Sequence, residues 1–267
     1  MQLPIATVDA FARAPFEGNP AAVCLLPHWL DDAVLSRIAA ELNLSETAFL
    51  VRNDDGSHRL RWLTPAVEVD LCGHATLASA HRLWELGVLA ATERARFHTR
   101  SGELTATRLS DGRIELDFPA TPAHDEPAPE GLASALGVSA IRTAKKSPFD
   151  WLVEVEDERE VREARPDMRA LSSLPVRGVI LTARASTPGL DIVSRFFGPG
   201  AGVDEDPVTG SAHCALTPYW AERLGRTTLA AYQASRRGGH LECELVGARV
   251  RLRGTAVTVL TGTLSLP

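Results

Sequence analysis

Apolar positions recur along the chain with two different periods, and the switches between them outline its elements. Residues 4–11, PIATVDAF, form an apolar and β-branched run that reads as a strand. In LDDAVLSRIAAEL, residues 30–42, the side chains of Leu30, Val34, Leu35, Ile38, Ala39 and Leu42 share one face at helical spacing. Strand-like runs follow at 47–51 and 59–63. A Gly-led apolar helix, GHATLASAHRLWELG, opens at Gly73 and meets a C-terminal cap signal at Gly87. Alternating runs at 95–100, 103–109 and 113–118 then read as strands, with Asp111-Gly112 as a hairpin turn.

Residues 119–131, PATPAHDEPAPEG, hold four prolines and no bulky apolar residue, the pattern of a linker. Beyond them the same order of elements recurs. Strands are predicted at 151–155 and 176–182, followed by a second Gly-led helix, GSAHCALTPYWAERLG, and by strands at 229–234, 239–245 and 249–252. Gly73 and Gly210 are 137 residues apart, and so are Gly102 and Gly239. One offset shared by two landmarks, close to half of 267 residues, indicates a duplicated α/β unit. Hairpin-linked strands around one long helix per half predict an α+β fold rather than a doubly wound parallel sheet. The predicted halves are 1–118 and 132–257, joined by the linker, with the tail 258–267 packing on the first half.

Duplication has a chemical consequence. Helices that start at equivalent glycines present unpaired N–H groups and positive dipole ends, which suit a small carboxylate. Gly73 and Gly210 let backbone approach such a ligand closely. The offset pairs His74 with Ser211, two polar residues in the first turn of otherwise apolar helices. Two acids are candidates for proton transfer: Glu46 in LNLSETAFLV and Asp206 in VDEDPVTGSAH. Spacing leaves each equally readable as a loop or turn acid, the role expected of Asp204 and Glu205.

Composition narrows the function classes. With 28 basic against 34 acidic residues the chain carries −6, which excludes nucleic-acid binding by bulk charge and a polybasic membrane anchor. There is no apolar stretch near the roughly 18 residues of a membrane span, and no signal-peptide pattern. Four scattered cysteines without CxxC (Cys24, Cys72, Cys214, Cys243) read as reduced thiols in a cytoplasmic protein. A Cys2His2 set from Cys72, His74, His213 and Cys214 has the wrong spacings for zinc, so no metal is expected. Cys72 maps onto Thr209 and Cys214 onto Leu77, which disfavours a two-thiol racemase and leaves these thiols as small buried hydrophobes. GPGAG at 198–202 lacks a phosphate-loop lysine and reads as a turn.

Four separated segments then gain a common meaning. VDAFARAPFEGNPAAVC at 8–24, LSETAFL at 44–50, DLCGHATLASA at 70–80 and DEDPVTGSAHCAL at 204–216 resemble the phenazine-biosynthesis PhzF-like isomerase family. RRGG at 236–239 and the closing GTAVTVLTGTLSLP fit it as well. The resemblance implies a diaminopimelate-epimerase-like fold: two pseudo-symmetric domains, each a curved, mostly antiparallel sheet around a central helix, with the site in the cleft between them. It implies a homodimer that needs neither metal nor organic cofactor. It also implies that Glu46 transfers the proton, while His74, Asp206 and Ser211 hold the substrate and assist.

Cys72 and Val208 depart from the phenazine enzyme's pattern, so the chemistry class is expected to carry over and the substrate is not. A carboxyl among apolar groups loses the solvation that favours its ionised form, so such a Glu46 is suited to take a proton from one carbon and return it to another. The expected activity is cofactor-independent isomerisation of a small carboxylate by general acid–base catalysis. A non-catalytic carboxylate-binding protein and an amino-acid epimerase are the alternatives.

Overall fold

The computed structural model describes residues 1–266; Pro267, the end of the predicted tail, lies outside them. The chain divides into two compact units, Met1–Asp117 with Arg253–Pro267, and Phe118–Leu252. None of the described helices is long and apolar enough to cross a membrane.

The first unit contains β1 (Gln2–Ala10), β2 (Asn19–Leu26), α1 (Asp32–Leu42), β3 (Glu46–Arg52), β4 (His58–Leu63), β5 (Glu68–Val69), α2 (Gly73–Glu85), β6 (Ala95–Thr99), β7 (Gly102–Arg108) and the start of β8 (Ile114–Pro119). β1 and β2 are antiparallel, and β2 and β3 are parallel, with α1 as the crossover between them. β4 runs antiparallel to β3 and β5 but parallel to β6, and the antiparallel pairings β6–β7 and β7–β8 complete the set. α2 packs on β1, β2, β3 and β7, and every residue from His74 to Ala80 is buried. Its alanines let the strands close around it. The hydroxyls of Thr76 and Ser79 donate to the carbonyls of Cys72 and Ala75, so the helix satisfies its own buried polar atoms. Leu35, Ile38 and Ala39 of α1 form a second core with Leu3, Cys24, Leu26, Phe49 and Leu63. β2 and β3 are thereby buried along both faces, which explains their nearly continuous apolar runs.

The second unit comprises β9 (His124–Asp125), α3 (Leu132–Leu136), β10 (Thr143–Lys146), β11 (Asp150–Glu154), α4 (Glu158–Glu163), α5 (Met168–Ser172), β12 (Gly178–Arg184), β13 (Ile192–Gly198), β14 (Val203–Asp206), α6 (Gly210–Leu224), β15 (Thr228–Gln233), β16 (Gly239–Val246) and most of β17 (Arg249–Gly254). The pairing rules of the first unit return in order. β10–β11 is antiparallel, β11–β12 is parallel across α4 and α5, and β13 runs antiparallel to β12 and β14 but parallel to β15. The last strand, β18 (Ala256–Ser265), belongs to the first unit and pairs antiparallel with β1. The repetition seen in the spacing is therefore a repetition of topology: mixed, mostly antiparallel strands around a central helix, twice. GPGAG forms a short turn with a 3-10 stretch at Pro199–Ala201, as its missing lysine suggested.

The run 119–131 differs from the linker predicted for it. Ala120 N–H donates to Ala248 at 2.9 Å and Thr121 N–H to Cys214 at 3.1 Å, while β9 pairs with β10. Pro218 inside α6 supplies the reason, because it has no N–H for the Cys214 carbonyl four residues back. Thr121 takes the vacant carbonyl. The prolines hold this segment extended without setting it free.

Glu158 anchors α4. Its buried carboxylate accepts from the backbone N–H and the hydroxyl of both Ser186 and Thr187, and from the Arg162 guanidinium. Burial pushes this carboxyl up, but the bonds from Thr187, Arg162 and Ser186 outweigh it and hold the pKa at about 2. Removing the charge leaves several buried donors poorly met, so Glu158→Gln is expected to cost about 2 kcal/mol of stability near neutral pH. Because the folded pKa is depressed from 4.5, this contribution is complete above that value and is lost as pH falls toward 2. Urea unfolding of both proteins, near neutrality and near the folded pKa, measures the gap. A gap that does not shrink in acid contradicts the assignment.

Candidate active site

The first unit gathers four polar side chains where β2, β3 and α2 begin. The register Ala21↔Glu46 sets the starts of the parallel strands β2 and β3 side by side. Asn19 opens β2 and Glu46 opens β3, while Cys72 is the extended N-cap residue of α2 and His74 stands in its first turn. The chain reaches Asn19 through Gly18, whose φ is +66° and where a Cβ would lie 2.2 Å from the Ala10 carbonyl oxygen. Glycine is required there.

His74 is the hub of this group. Its Nε2 lies 3.0 Å from Glu46 Oε2, and its Nδ1 lies 3.2 Å from Asn19 Nδ2 and 3.6 Å from Cys72 Sγ. Asn19, Cys72 and His74 are buried, whereas the Glu46 side chain keeps 17% of its surface exposed. Burial by itself lowers the His74 pKa, but the Cys72 sulfur, as a hydrogen-bond acceptor, and the Glu46 carboxylate, as a charge, outweigh it and hold the ring above the ordinary histidine value. Burial raises the Cys72 thiol to about 11, so the sulfur stays protonated at neutral pH and Glu46 supplies the counter-charge. An imidazolium donates from both nitrogens, so the Asn19 amide turns its oxygen toward Nδ1 when the ring is charged.

The second unit builds a different polar group at the start of α6. Asp206 ends β14, and Thr209 is the extended N-cap of α6, equivalent to Cys72. Thr209 donates its hydroxyl to Asp206 Oδ2 at 2.5 Å and its N–H to Gln233 Oε1 at 2.9 Å. Gln233, fully buried at the end of β15, donates in turn to the Asp206 carbonyl at 2.7 Å. Asp206 is thus oriented by its own turn. Ser211 is half-buried in the first turn of α6 and is not the N-cap residue. Glu205 pairs with Arg195 at 2.7 Å, the structural role expected of a turn acid.

Gly73 and Gly210 open their helices at the predicted residues. Within the first unit, Glu46 and His74 are brought into contact; within the second, Asp206 lies against the N-terminus of the helix that carries Ser211. Three members escaped prediction as site residues. Asn19 sits inside the segment 8–24, but no spacing marks its role. Cys72 reads as a small hydrophobe until its contact with His74 is seen. Gln233 carries no local signal, because its role is purely tertiary. His213, by contrast, is fully buried, donates Nδ1–H to the Thr209 carbonyl at 2.8 Å, and is pushed by burial to a pKa of about 4, so it stays neutral.

Comparison with known proteins agrees with the fold. A family model described as phenazine biosynthesis-like protein matches residues 8–262. An uncharacterized isomerase of Pseudomonas aeruginosa is 52% identical over 270 residues, with 100% of both chains covered. The crystal structure of a PhzF-family phenazine biosynthesis protein from Enterococcus faecalis matches with a TM-score of 0.93 and 44% identity, covering 100% of both chains. A predicted epimerase of Pseudomonas aeruginosa shares the fold at a TM-score of 0.79 and 23% identity, over 99% of this chain and 100% of that one.

The contact between Glu46 and His74 yields a test that needs no substrate. The His74 ring protons, followed by NMR through a pH titration, are expected to report a midpoint above 6.5. In Glu46→Gln, burial acts with less opposition and the midpoint falls. An unchanged midpoint in the variant removes Glu46 as the counter-charge.

Proposed function

The chain belongs to the phenazine-biosynthesis-like PhzF family and is an isomerase; we propose that it moves a proton between carbons of a small carboxylate-bearing substrate, with Glu46 taking and returning that proton. The observation that carries this reading is the Glu46–His74 contact, in which a partly exposed carboxylate is fixed by a buried imidazole. A base must reach the carbon it deprotonates, and Glu46 is the most exposed member of its group. Its partners are buried and hold it in place.

The steps follow from these positions. Glu46 accepts a proton from a carbon made acidic by a neighbouring carbonyl or carboxyl group, and the electron pair left behind delocalises into the conjugated framework. His74, with Nε2 3.0 Å from Glu46 Oε2, holds the carboxyl group in place by opposite charge. The first-turn N–H groups of α2 face the developing negative charge. Protonated Glu46 then delivers the proton to a second carbon on the same face of the substrate. Asp206 and Ser211 are assigned to the substrate's polar groups, Asp206 with its carboxylate already oriented by Thr209.

A two-thiol epimerase requires a thiol at each of two symmetry-related positions. The position equivalent to Cys72 is Thr209, whose hydroxyl is committed to Asp206. This supports transfer by one carboxyl group over exchange between two thiols.

A panel of small unsaturated and amino-substituted carboxylates in deuterated water, followed by mass spectrometry and NMR, tests the proposal. The wild type is expected to wash deuterium into at least one of them. Glu46→Gln should keep that compound's thermal stabilisation of the protein but lose about 10²–10⁴ in exchange rate. Exchange at the wild-type rate in the variant would falsify the role of Glu46.

A further inference from the structure

Cys72 takes no part in that proton transfer, yet it completes a donor set of a different kind. One ligand atom each from Glu46, Cys72 and His74 lie within 4.8 Å of one another, the one such group of metal-ligating side chains among the described residues. Cys72 Sγ is 4.0 Å from His74 Nε2, and Nε2 is 3.0 Å from Glu46 Oε2. Around a tetrahedral zinc ion such atoms stand about 3.3–3.6 Å apart, from bond lengths of about 2.0–2.3 Å. Small side-chain rotations close the difference.

We propose that Glu46, Cys72 and His74 form a binding site for a thiophilic divalent cation, zinc foremost, ligated through Oε2, Sγ and Nε2. The Cys-x-His spacing argued against zinc when read along the chain. In the fold, the extended N-cap conformation of Cys72 brings its sulfur to the imidazole two residues on, and β3 adds the carboxylate. On binding, the S–H bond of Cys72 and the Nε2–H bond of the charged His74 ring both break, sulfur–metal and nitrogen–metal bonds form, and the two protons leave to solvent. One thiolate and one carboxylate balance the two positive charges, so the complex is neutral in a largely buried setting. Asn19, turned to present its amide oxygen, holds the proton of His74 on Nδ1 and leaves Nε2 for the metal.

This inference is independent of the proposed isomerisation, since metal binding is read without substrate. The reduced, metal-stripped full-length protein is titrated with Zn²⁺ against a chromophoric chelator, and with Co²⁺ as a spectroscopic probe. One ion per chain is expected, with a near-ultraviolet sulfur-to-cobalt band and a rise in melting temperature with Zn²⁺. Cys72→Ser should abolish the band and weaken Zn²⁺ binding at least tenfold. Glu46→Gln, placed at a less buried position, should retain the band with weakened affinity and guards against a Cys72 variant that fails to fold. Absence of Zn²⁺ binding at micromolar concentrations, a cobalt complex without the sulfur band, or equal Zn²⁺ affinity in Cys72→Ser overturns the proposal.

Discussion

An imidazole taken out of water loses the solvation that favours its charged form, and His74 recovers it from a carboxylate 3.0 Å away. At that range two opposite charges gain several kcal/mol even at an effective dielectric of about 20. Much of the gain is offset by desolvation, so the pair matters less for net stability than for geometry. Holding it asks three things of the fold. β2 and β3 must begin side by side, α2 must start where they start, and the loop into β2 must deliver Asn19 to the other ring nitrogen. A one-residue slip of β3 against β2 would turn Glu46 to the opposite face of the sheet. The burial of β2 and β3 between α1 and α2 forbids that slip.

The two units use one scaffold for two electrostatic environments. Both central helices begin with a glycine after an extended N-cap residue, and both follow a short antiparallel strand. At the N-cap, a thiol in one unit is replaced by a hydroxyl in the other. In the first turn a charged histidine is replaced by a serine, and the buried His213 of the second unit is neutral where His74 is not. Duplication fixed where polar side chains are presented. Divergence at a few of those positions decided what they do.

Much of this scaffold was readable from residue order. The helices at 32–42 and 73–85 lie where apolar periodicity and glycine punctuation place them, and hairpins such as β7–β8 follow from alternation around Asp111-Gly112. β2 was invisible because both its faces are buried, which erases alternation, and β5 has only two residues. The proline-rich segment misled because prolines mark extended chain whether or not it is tethered, and the tether is the Cys214 carbonyl, 93 residues downstream of Thr121, that Pro218 leaves open. Within the site, Glu46 and His74 were named through family motifs. Their contact was not legible, since it is a product of strand register and the entry point of a helix.

Cys72 shows why one-dimensional spacing is a weak guide to ligand chemistry. On a regular helix, residues two apart point about 200° from one another, so a Cys-x-His pair inside a helix is a poor chelate. At a helix N-terminus the first of the two residues is extended rather than helical, and the argument no longer applies. The same displacement puts the sulfur beside an imidazole that already has a carboxylate partner. The proposed proton transfer and the proposed cation binding then draw on the same two side chains, so each opposes the other. In the proposed roles, Glu46 is a weaker base toward carbon while one of its oxygens holds a metal, and His74 cannot keep an Nε2 proton while that nitrogen is a ligand. Any cation at this position therefore acts on the isomerase by competition, through the side chains that position the base.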